Sequence, residues 1–241
     1  MLNFIRALIF NILFYVGSLA LSLILLPALL LPQHHMRLVM IYTYYNYAYL
    51  VSRYIMGIKL EIRGLNNLPK SGAFILASKH QSAYETLVLP IVVRHVAIIL
   101  KKELTRIPVW GWYPVRLGMI PIDRGSATQA IRSIITGAQR VKDEQRPILI
   151  FPQGTRITPG EKSPYKGGLG KIYKDIELPI VPLALNAGVY WPKNGFIKKP
   201  GTVVFEFLPQ IPAGLAPKDA MQQVEHLIES HSDKLLAESR T

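Results

Sequence analysis

An uninterrupted apolar run near the N-terminus constrains this chain more than any other feature. From Ala7 to Leu31 there is no charged residue, and only four polar or glycine residues interrupt the run: Asn11, Gly17, Ser18 and Ser22. Its 25 residues exceed the roughly 20 that an α-helix needs to cross a bilayer. The run therefore predicts a membrane-anchoring helix, which Pro27 and Pro32 would kink or end.

Two alternatives remain for this segment. A cleaved signal peptide would have Arg6 as its only N-terminal basic residue, and its apolar run would be longer than the usual ~7–15 residues. A buried core helix would seldom be apolar on every side over this length. Both alternatives fit the residues less well than a retained anchor.

The second segment, Arg37 to Ile58, is rich in tyrosine, a residue that favours the level of the lipid headgroups. This composition favours an interfacial helix or the returning arm of a half-inserted hairpin over a second membrane span. An aromatic-rich core helix is the remaining alternative. We expect two regions: a membrane anchor over 1–57, either transmembrane or a half-inserted helical hairpin, and an α/β domain over 58–241.

Charge and cysteine content narrow the functional classes. The chain has a formal net charge of +13, of which residues 1–57 carry +3, from three arginines and no acid; the other 25 basic and 15 acidic residues leave +10. Such an excess favours polyanions, and the apolar N-terminus favours an anionic membrane surface over nucleic acid. The sequence contains no cysteine, which excludes disulfides, thiolate metal sites and a cysteine nucleophile.

After Gly57, apolar runs alternate with amphipathic stretches, which is typical of an α/β domain. We predict a mixed central sheet flanked by helices. The predicted strands are 59–63, 74–78, 96–100, 118–122, 147–151, 180–185 and 202–207. The predicted amphipathic helices include 126–142, capped by Ser126, and 218–238.

One predicted strand leads directly into His80, and Glu85 follows five residues later at the expected start of a helix. Ligands of open α/β sheets bind at the carboxyl ends of strands. A carboxylate there can hold one imidazole nitrogen and leave the other to accept a proton from a substrate hydroxyl. The alternative is a capping box, in which Ser82 caps the helix and Glu85 is structural.

Three further segments carry candidate binding residues. Arg124 follows a strand and precedes a helix, a position suited to a phosphate monoester. Arg156 lies in a proline-glycine turn after the strand 147–151, and Lys166 stands beside glycines that allow a ligand to approach the backbone. Each segment alone is also compatible with an ordinary turn. The apolar strand 180–185 is typical of core and could line an acyl slot.

Taken in order, these segments resemble the motifs of the glycerophospholipid acyltransferase family, most closely its bacterial 1-acylglycerol-3-phosphate acyltransferases, over residues 58–210. The resemblance implies that His80 is the general base and Glu85 its acid partner. It places Arg124 in the second motif and Arg156 in the third, both associated with the glycerol phosphate, and relates the segment around Pro182 to the fourth. Lys101 stands where the family often has a basic residue near the phosphate or the thioester. We expect Lys166 to grip the phosphate with the two arginines, and Gly154 and Thr155 to bind substrate beside Arg156.

Two residues depart from the family pattern. Glu85 stands where the family usually has aspartate, and it is one methylene longer but still able to reach an imidazole. Gln153 stands where the third motif usually has glutamate, so no carboxylate at this position can take part in the mechanism. The base and the arginines are retained.

The resemblance implies an enzyme of phospholipid synthesis that transfers an acyl chain from a thioester to the 2-hydroxyl of lysophosphatidate. It implies no cofactor or metal, and acyl-CoA or acyl carrier protein as co-substrate. We expect the protein at the inner (cytoplasmic) membrane, with its catalytic domain facing the cytoplasm. The alternatives are a different acceptor, such as glycerol-3-phosphate or a lyso-aminolipid, a hydrolase that uses water, and a noncatalytic lipid-binding protein.

Overall fold

The structure, a computed structural model, describes residues 2–123 and 125–240. In this part of the chain, seven strands form one sheet. They are β1 (Ile58–Arg63), β2 (Ile75–Ser78), β3 (Ala97–Lys101), β4 (Ile120–Ile122), β5 (Ile148–Ile150), β6 (Ile180–Leu185) and β7 (Gly201–Phe207). All seven predicted strands are confirmed, and their bounds differ from the predicted ones by at most two residues. The mixed α/β architecture is therefore as expected.

The strand order places five parallel strands side by side. The order is β1-β7-β6-β2-β5-β3-β4, with β7 antiparallel to β6 and β1 parallel to β7. The strands β6, β2, β5, β3 and β4 all run in one direction. Their carboxyl ends therefore meet at one edge of the sheet, which is where α/β folds bind ligands.

The central strands are apolar because helices cover both faces of the sheet. Every residue of β2, β5 and β6 is buried, as expected of parallel strands covered on both sides. One face packs against three helices, α6 (Ala127–Asp143), α7 (Gly168–Ile176) and α9 (Pro217–Glu238). Ser126 caps α6 as predicted, since its hydroxyl accepts the Gln129 N–H at 3.1 Å.

The opposite face packs against α4 (Tyr84–Val92) and the N-terminal helices. These are α1 (Leu2–Ile24), α2 (Gln33–Met40) and α3 (Asn46–Met56). Helix α1 ends at Ile24, and a short 3₁₀ turn (Leu26–Leu30) begins just before Pro27. The helix therefore ends close to this proline, as predicted. One π-helical turn (Ile41–Tyr45) joins α2 to α3, so 33–56 forms a nearly continuous helical arm.

This arm runs back along α1 and forms a hairpin with it. Arg6 Nε donates to the Ile55 carbonyl at 2.8 Å, and the Tyr47 hydroxyl donates to the Leu13 carbonyl at 2.6 Å. The tyrosine-rich segment divides between two environments: Tyr44 is buried against the sheet, whereas 72% of Tyr54 is exposed. One side of the segment therefore belongs to the core and the other faces outward.

Helix α1 presents an apolar outer surface. Phe4–Ile24 is long and apolar enough to cross a membrane, with a mean hydropathy of 2.2, and only 17% of its most apolar window is buried. Exposed apolar side chains elsewhere in the described residues include two groups. One is Trp112 and Val115 on α5 (Trp112–Arg116), and the other is Phe196 and Ile197 in the loop before β7.

Candidate active site

The imidazole of His80 and the carboxylate of Glu85 meet at the carboxyl end of β2. His80 Nδ1 lies 2.8 Å from Glu85 Oε1. The Glu85 side chain is fully buried, whereas 17% of the His80 side chain remains exposed. Among the residues that the structure describes, this is the only hydrogen bond of the ring, so Nε2 is available to a ligand.

The same carboxylate oxygen also holds the start of α4. Glu85 Oε1 accepts the N–H groups of Gln81 at 2.8 Å and Ser82 at 2.7 Å, while the Ser82 hydroxyl accepts the Tyr84 N–H at 3.1 Å. The capping box and the histidine partner, which the sequence left as alternatives, are therefore one arrangement. Capping fixes the carboxylate, and the fixed carboxylate orients the imidazole.

Residues that follow β5 hold His80 from the other side. Its ring stacks on Phe151, with centroids 4.0 Å apart. The backbone N–H of His80 donates to Gln153 Oε1 at 3.3 Å, and the backbone carbonyl of His80 accepts the Ile157 N–H at 2.8 Å. The turn 151–157 thus fixes both the backbone and the ring of the histidine.

This turn also brings three of the predicted binding residues to the same edge. Gly154 has a positive φ of 68°, and a β-carbon built on it would lie 3.0 Å from the Lys166 side chain. Thr155 is exposed, and Arg156 donates from Nη1 to the Lys193 carbonyl at 3.0 Å. Because a guanidinium has five N–H donors, this bond leaves others for a ligand.

Of the remaining predicted cations, Lys101 lies in the described part of the chain. Lys101 ends β3 and is exposed, but no hydrogen bond joins it to His80. The next residue, Lys102, pairs with Asp123 at 2.8 Å, so the ends of β3 and β4 meet at this edge. The hydrogen bond from Lys102 lowers the pKa of the Asp123 carboxyl. Arg124 lies outside the described residues.

The sequence did not reveal a second group of polar side chains beside His80. Lys79, Gln153 and Tyr165 all donate to the carboxylate of Glu229 on α9. Burial, followed by the charge of Glu229, raises the pKa of the Tyr165 hydroxyl, which keeps it a donor. The sequence places Glu229 on the predicted amphipathic helix 218–238, but this position does not show which residues Glu229 contacts.

No group of three or more histidine, aspartate or glutamate residues is placed to hold a metal ion in 2–123 and 125–240. The chemistry that this part of the chain offers at the sheet edge is that of an oriented imidazole beside cations. An imidazole held in this way can take a proton from a bound hydroxyl or water.

Comparison with known proteins identifies the family. A family model described as Acyltransferase matches residues 59–186. This range begins with β1 and ends just after β6, and it contains the His80–Glu85 pair. The chain belongs to the acyltransferase family. The resemblance that the motifs suggested is therefore confirmed.

Curated relatives of this family extend over most of the chain. The 1-acyl-sn-glycerol-3-phosphate acyltransferase of Pseudomonas aeruginosa is 34% identical over 80% of this chain and 75% of its own length. The 1-acyl-sn-glycerol-3-phosphate acyltransferase alpha of sheep, Ovis aries, is 30% identical over 69% of this chain and 59% of its own length. The chain thus spans less than two thirds of the sheep relative.

A solved structure shares the fold, including the N-terminal helices. The 1-acyl-sn-glycerophosphate (LPA) acyltransferase PlsC from Thermotoga maritima superposes with a TM-score of 0.78 at 22% identity, covering 98% of each chain. The architecture described above is therefore one that the family uses.

Proposed function

We propose that this protein transfers an acyl chain from an acyl thioester to the 2-hydroxyl of lysophosphatidate, giving phosphatidate. The observation that carries the proposal is the fully buried Glu85 carboxylate on His80 Nδ1, which leaves Nε2 as a base at the ligand-binding edge. The names of the curated relatives support lysophosphatidate as the acceptor.

In the proposed reaction, His80 Nε2 accepts the proton of the 2-hydroxyl while that oxygen attacks the thioester carbonyl. The tetrahedral intermediate collapses, the C–S bond breaks, and the leaving thiolate takes the proton from the imidazolium. Glu85 remains a carboxylate and stabilises the imidazolium. The acyl group passes directly between substrates, since the sequence contains neither a cysteine nor a Gly-x-Ser-x-Gly elbow to carry it.

Positioning of two substrates supplies much of the catalysis in this scheme. Holding the hydroxyl and the thioester in line can contribute about 7–11 kcal/mol to lowering the barrier. We assign the phosphate of the acceptor to Arg124, Arg156 and Lys166, with Gly154 and Thr155 lining the turn. Lys101 would lie near the phosphate or the thioester. No cofactor is needed, and acyl-CoA or acyl carrier protein serves as co-substrate.

The first prediction concerns the base and its partner. His80→Ala should abolish acyl transfer, and Glu85→Gln should slow turnover roughly 10²–10⁴-fold, because an amide cannot stabilise the imidazolium. Steady-state transfer to lysophosphatidate measures both effects. Glu177→Gln is the matched control, because Glu177 is exposed just before β6, at the opposite edge of the sheet.

Near-normal turnover of a folded His80→Ala protein would reject the proposed base. Thioester hydrolysis without transfer to any lyso-acceptor in a panel would show instead that His80 activates water.

The second prediction concerns the phosphate. Arg156→Ala should raise the KM for lysophosphatidate about 10- to 100-fold, the loss expected for one charge-assisted hydrogen bond of ~1.5–3 kcal/mol. Arg156→Lys should restore part of the loss, because an ammonium lacks the bidentate fork. Arg132→Ala, an exposed position on α6, serves as the control. A KM effect confined to the thioester would reassign Arg156 to the donor.

We further propose that residues 1–57 form the membrane anchor and 58–241 the acyltransferase domain, with α1 lying along one leaflet. The catalytic domain contacts the middle and the C-terminal end of α1: Lys198 Nζ donates to Asn11 Oδ1 at 2.7 Å, and the Tyr113 hydroxyl donates to the Ser22 carbonyl. Arg116 reaches the Leu29 carbonyl at 2.8 Å.

A helix crossing the bilayer would draw some of these contacts, with their cations, into the hydrocarbon, at a cost of several kcal/mol. An in-plane α1 avoids this cost. It also lets the exposed Trp112 and Phe196 enter the same leaflet beside it. A lysolipid could then reach His80 without leaving the membrane.

The proposed side is the cytoplasmic face of the inner membrane. Acyl thioesters are made and used in the cytoplasm, so an exported domain would meet no donor. With α1 in the plane of the membrane, Arg6, Arg37 and Arg53 lie on one side, which the positive-inside rule makes the cytoplasmic side, and the +10 charge of residues 58–241 favours the anionic inner leaflet.

The third prediction tests this topology with single cysteines, for which the cysteine-free chain provides a clean background. The variants are Asn3→Cys before most of α1, His35→Cys after it, and Lys171→Cys on α7. An impermeant maleimide should label all three in inverted inner-membrane vesicles and none in right-side-out vesicles. Labelling of Asn3→Cys and His35→Cys from opposite sides would reject the in-plane helix.

A further inference from the structure

A buried polar cluster beside His80 converges on one carboxylate of the last helix. Glu229 accepts hydrogen bonds from Lys79 Nζ, from the Tyr165 hydroxyl at 2.9 Å and from the Gln153 side-chain amide at 3.4 Å. Lys79 and Gln153 are almost completely buried, with 2% and 1% of their surfaces exposed. Glu229 is therefore the acceptor that satisfies three donors with little access to water.

The three donors come from three of the segments that carry candidate site residues. Lys79 immediately precedes His80, Gln153 lies in the turn 151–157 that contains Arg156, and Tyr165 immediately precedes Lys166. These segments are far apart in sequence from α9; Lys79 and Glu229 are separated by 150 residues. One side chain of α9 thus joins the segments of the base and of the proposed phosphate ligands.

A chain of hydrogen bonds leads from Glu229 to the backbone of the base. A carboxylate only accepts hydrogen bonds, so the Gln153 amide must turn its NH₂ group toward Glu229. Its oxygen is then directed at the His80 N–H, from which it accepts at 3.3 Å. Glu229 therefore selects the orientation of the Gln153 amide in which its oxygen accepts the backbone N–H of His80.

The charge of Glu229 is as important as its position. Lys79 is a buried ammonium beside the base, and a buried cation without a partner is strongly unfavourable. Its pairing with Glu229 holds the residue before His80 in place. A neutral side chain at position 229 would leave Lys79 without this partner and Gln153 free to rotate.

We propose that Glu229 is a positioning residue for His80, acting through Gln153 and Lys79. This inference rests on the proposed function of His80 as the base. It assigns to the C-terminal helix, outside the range 59–186 that the family model matches, a part in setting the rate of acyl transfer.

The test compares Glu229→Gln with Glu225→Gln, an exposed glutamate one turn earlier in α9. Glu229→Gln should lower kcat about 10- to 100-fold and leave both KM values within about twofold, because the proposed role of Glu229 runs through Lys79 and Gln153 and not through a substrate. Hydrogen exchange should be faster in the peptide that contains the His80 amide. Glu225→Gln should match the unmodified protein in both measurements.

A double variant separates positioning from stability. Gln153→Glu alone sets two carboxylates against each other and should lower kcat more than Glu229→Gln does. The double variant with Glu229→Gln again has one amide and one carboxylate and the same net charge as the unmodified protein. The carboxylate is then at position 153, where it accepts the backbone N–H of His80. The combination should recover part of the lost kcat and of the slow exchange, because the backbone N–H of His80 regains its acceptor while Lys79 still lacks Glu229. Independent sites do not show such an interaction.

The proposal is overturned if Glu229→Gln changes kcat and His80 exchange no more than Glu225→Gln does. It is also overturned if a loss of kcat merely follows the folded fraction in thermal melts and the double variant restores nothing. Absence of transfer to every lyso-acceptor in the unmodified protein would reject the proposed function alone, since the exchange measurement still decides the role of Glu229.

Discussion

The site depends on one buried oxygen, Glu85 Oε1, which accepts two backbone N–H groups and faces the imidazole of His80. Burying a carboxylate costs several kcal/mol, and charge-assisted hydrogen bonds of about 1.5–3 kcal/mol each offset that cost. The start of α4 adds the favourable end of the helix dipole. The start of α4 therefore holds the carboxylate in place, and the carboxylate orients the imidazole of His80.

The sheet makes this arrangement rigid. Because β2 and β5 are parallel neighbours, His80 and the turn 151–157 emerge side by side, and Phe151 can stack on the imidazole. The N-terminal hairpin shares the core on the α4 face, where Phe10 packs on Trp191 and Trp191 on Tyr84. The proposed anchor and the residue before Glu85 are thus linked by aromatic contacts.

The sequence predicted most of the fold and the centre of the site for identifiable physical reasons. Buried parallel strands appear as continuous apolar runs, so all seven strands were found. The spacing from His80 to Glu85 is local, and one strand-to-helix turn satisfies it. From the sequence, a capping role and a histidine-partner role for Glu85 were alternatives. Residue spacing alone does not show that Glu85 Oε1 can accept the Ser82 N–H and also face His80 Nδ1.

The remaining features depend on distant contacts. The partners of Glu229 come from three segments far away in sequence, and no local pattern marks them. Likewise, the composition of α1 predicts an anchor but not its neighbours, and only the contacts of Asn11 and Ser22 show where the helix packs against residues 58–241.

The tautomer of His80 tests the central claim most directly. Protein labelled with ¹⁵N-histidine, with the His80 signals assigned from a His80→Asn variant, reports which ring nitrogen carries the proton of the neutral imidazole. The account predicts a proton on Nδ1, directed at Glu85, and a bare Nε2. A neutral His80 protonated on Nε2 would contradict it, because that nitrogen could not then accept the proton of the substrate hydroxyl.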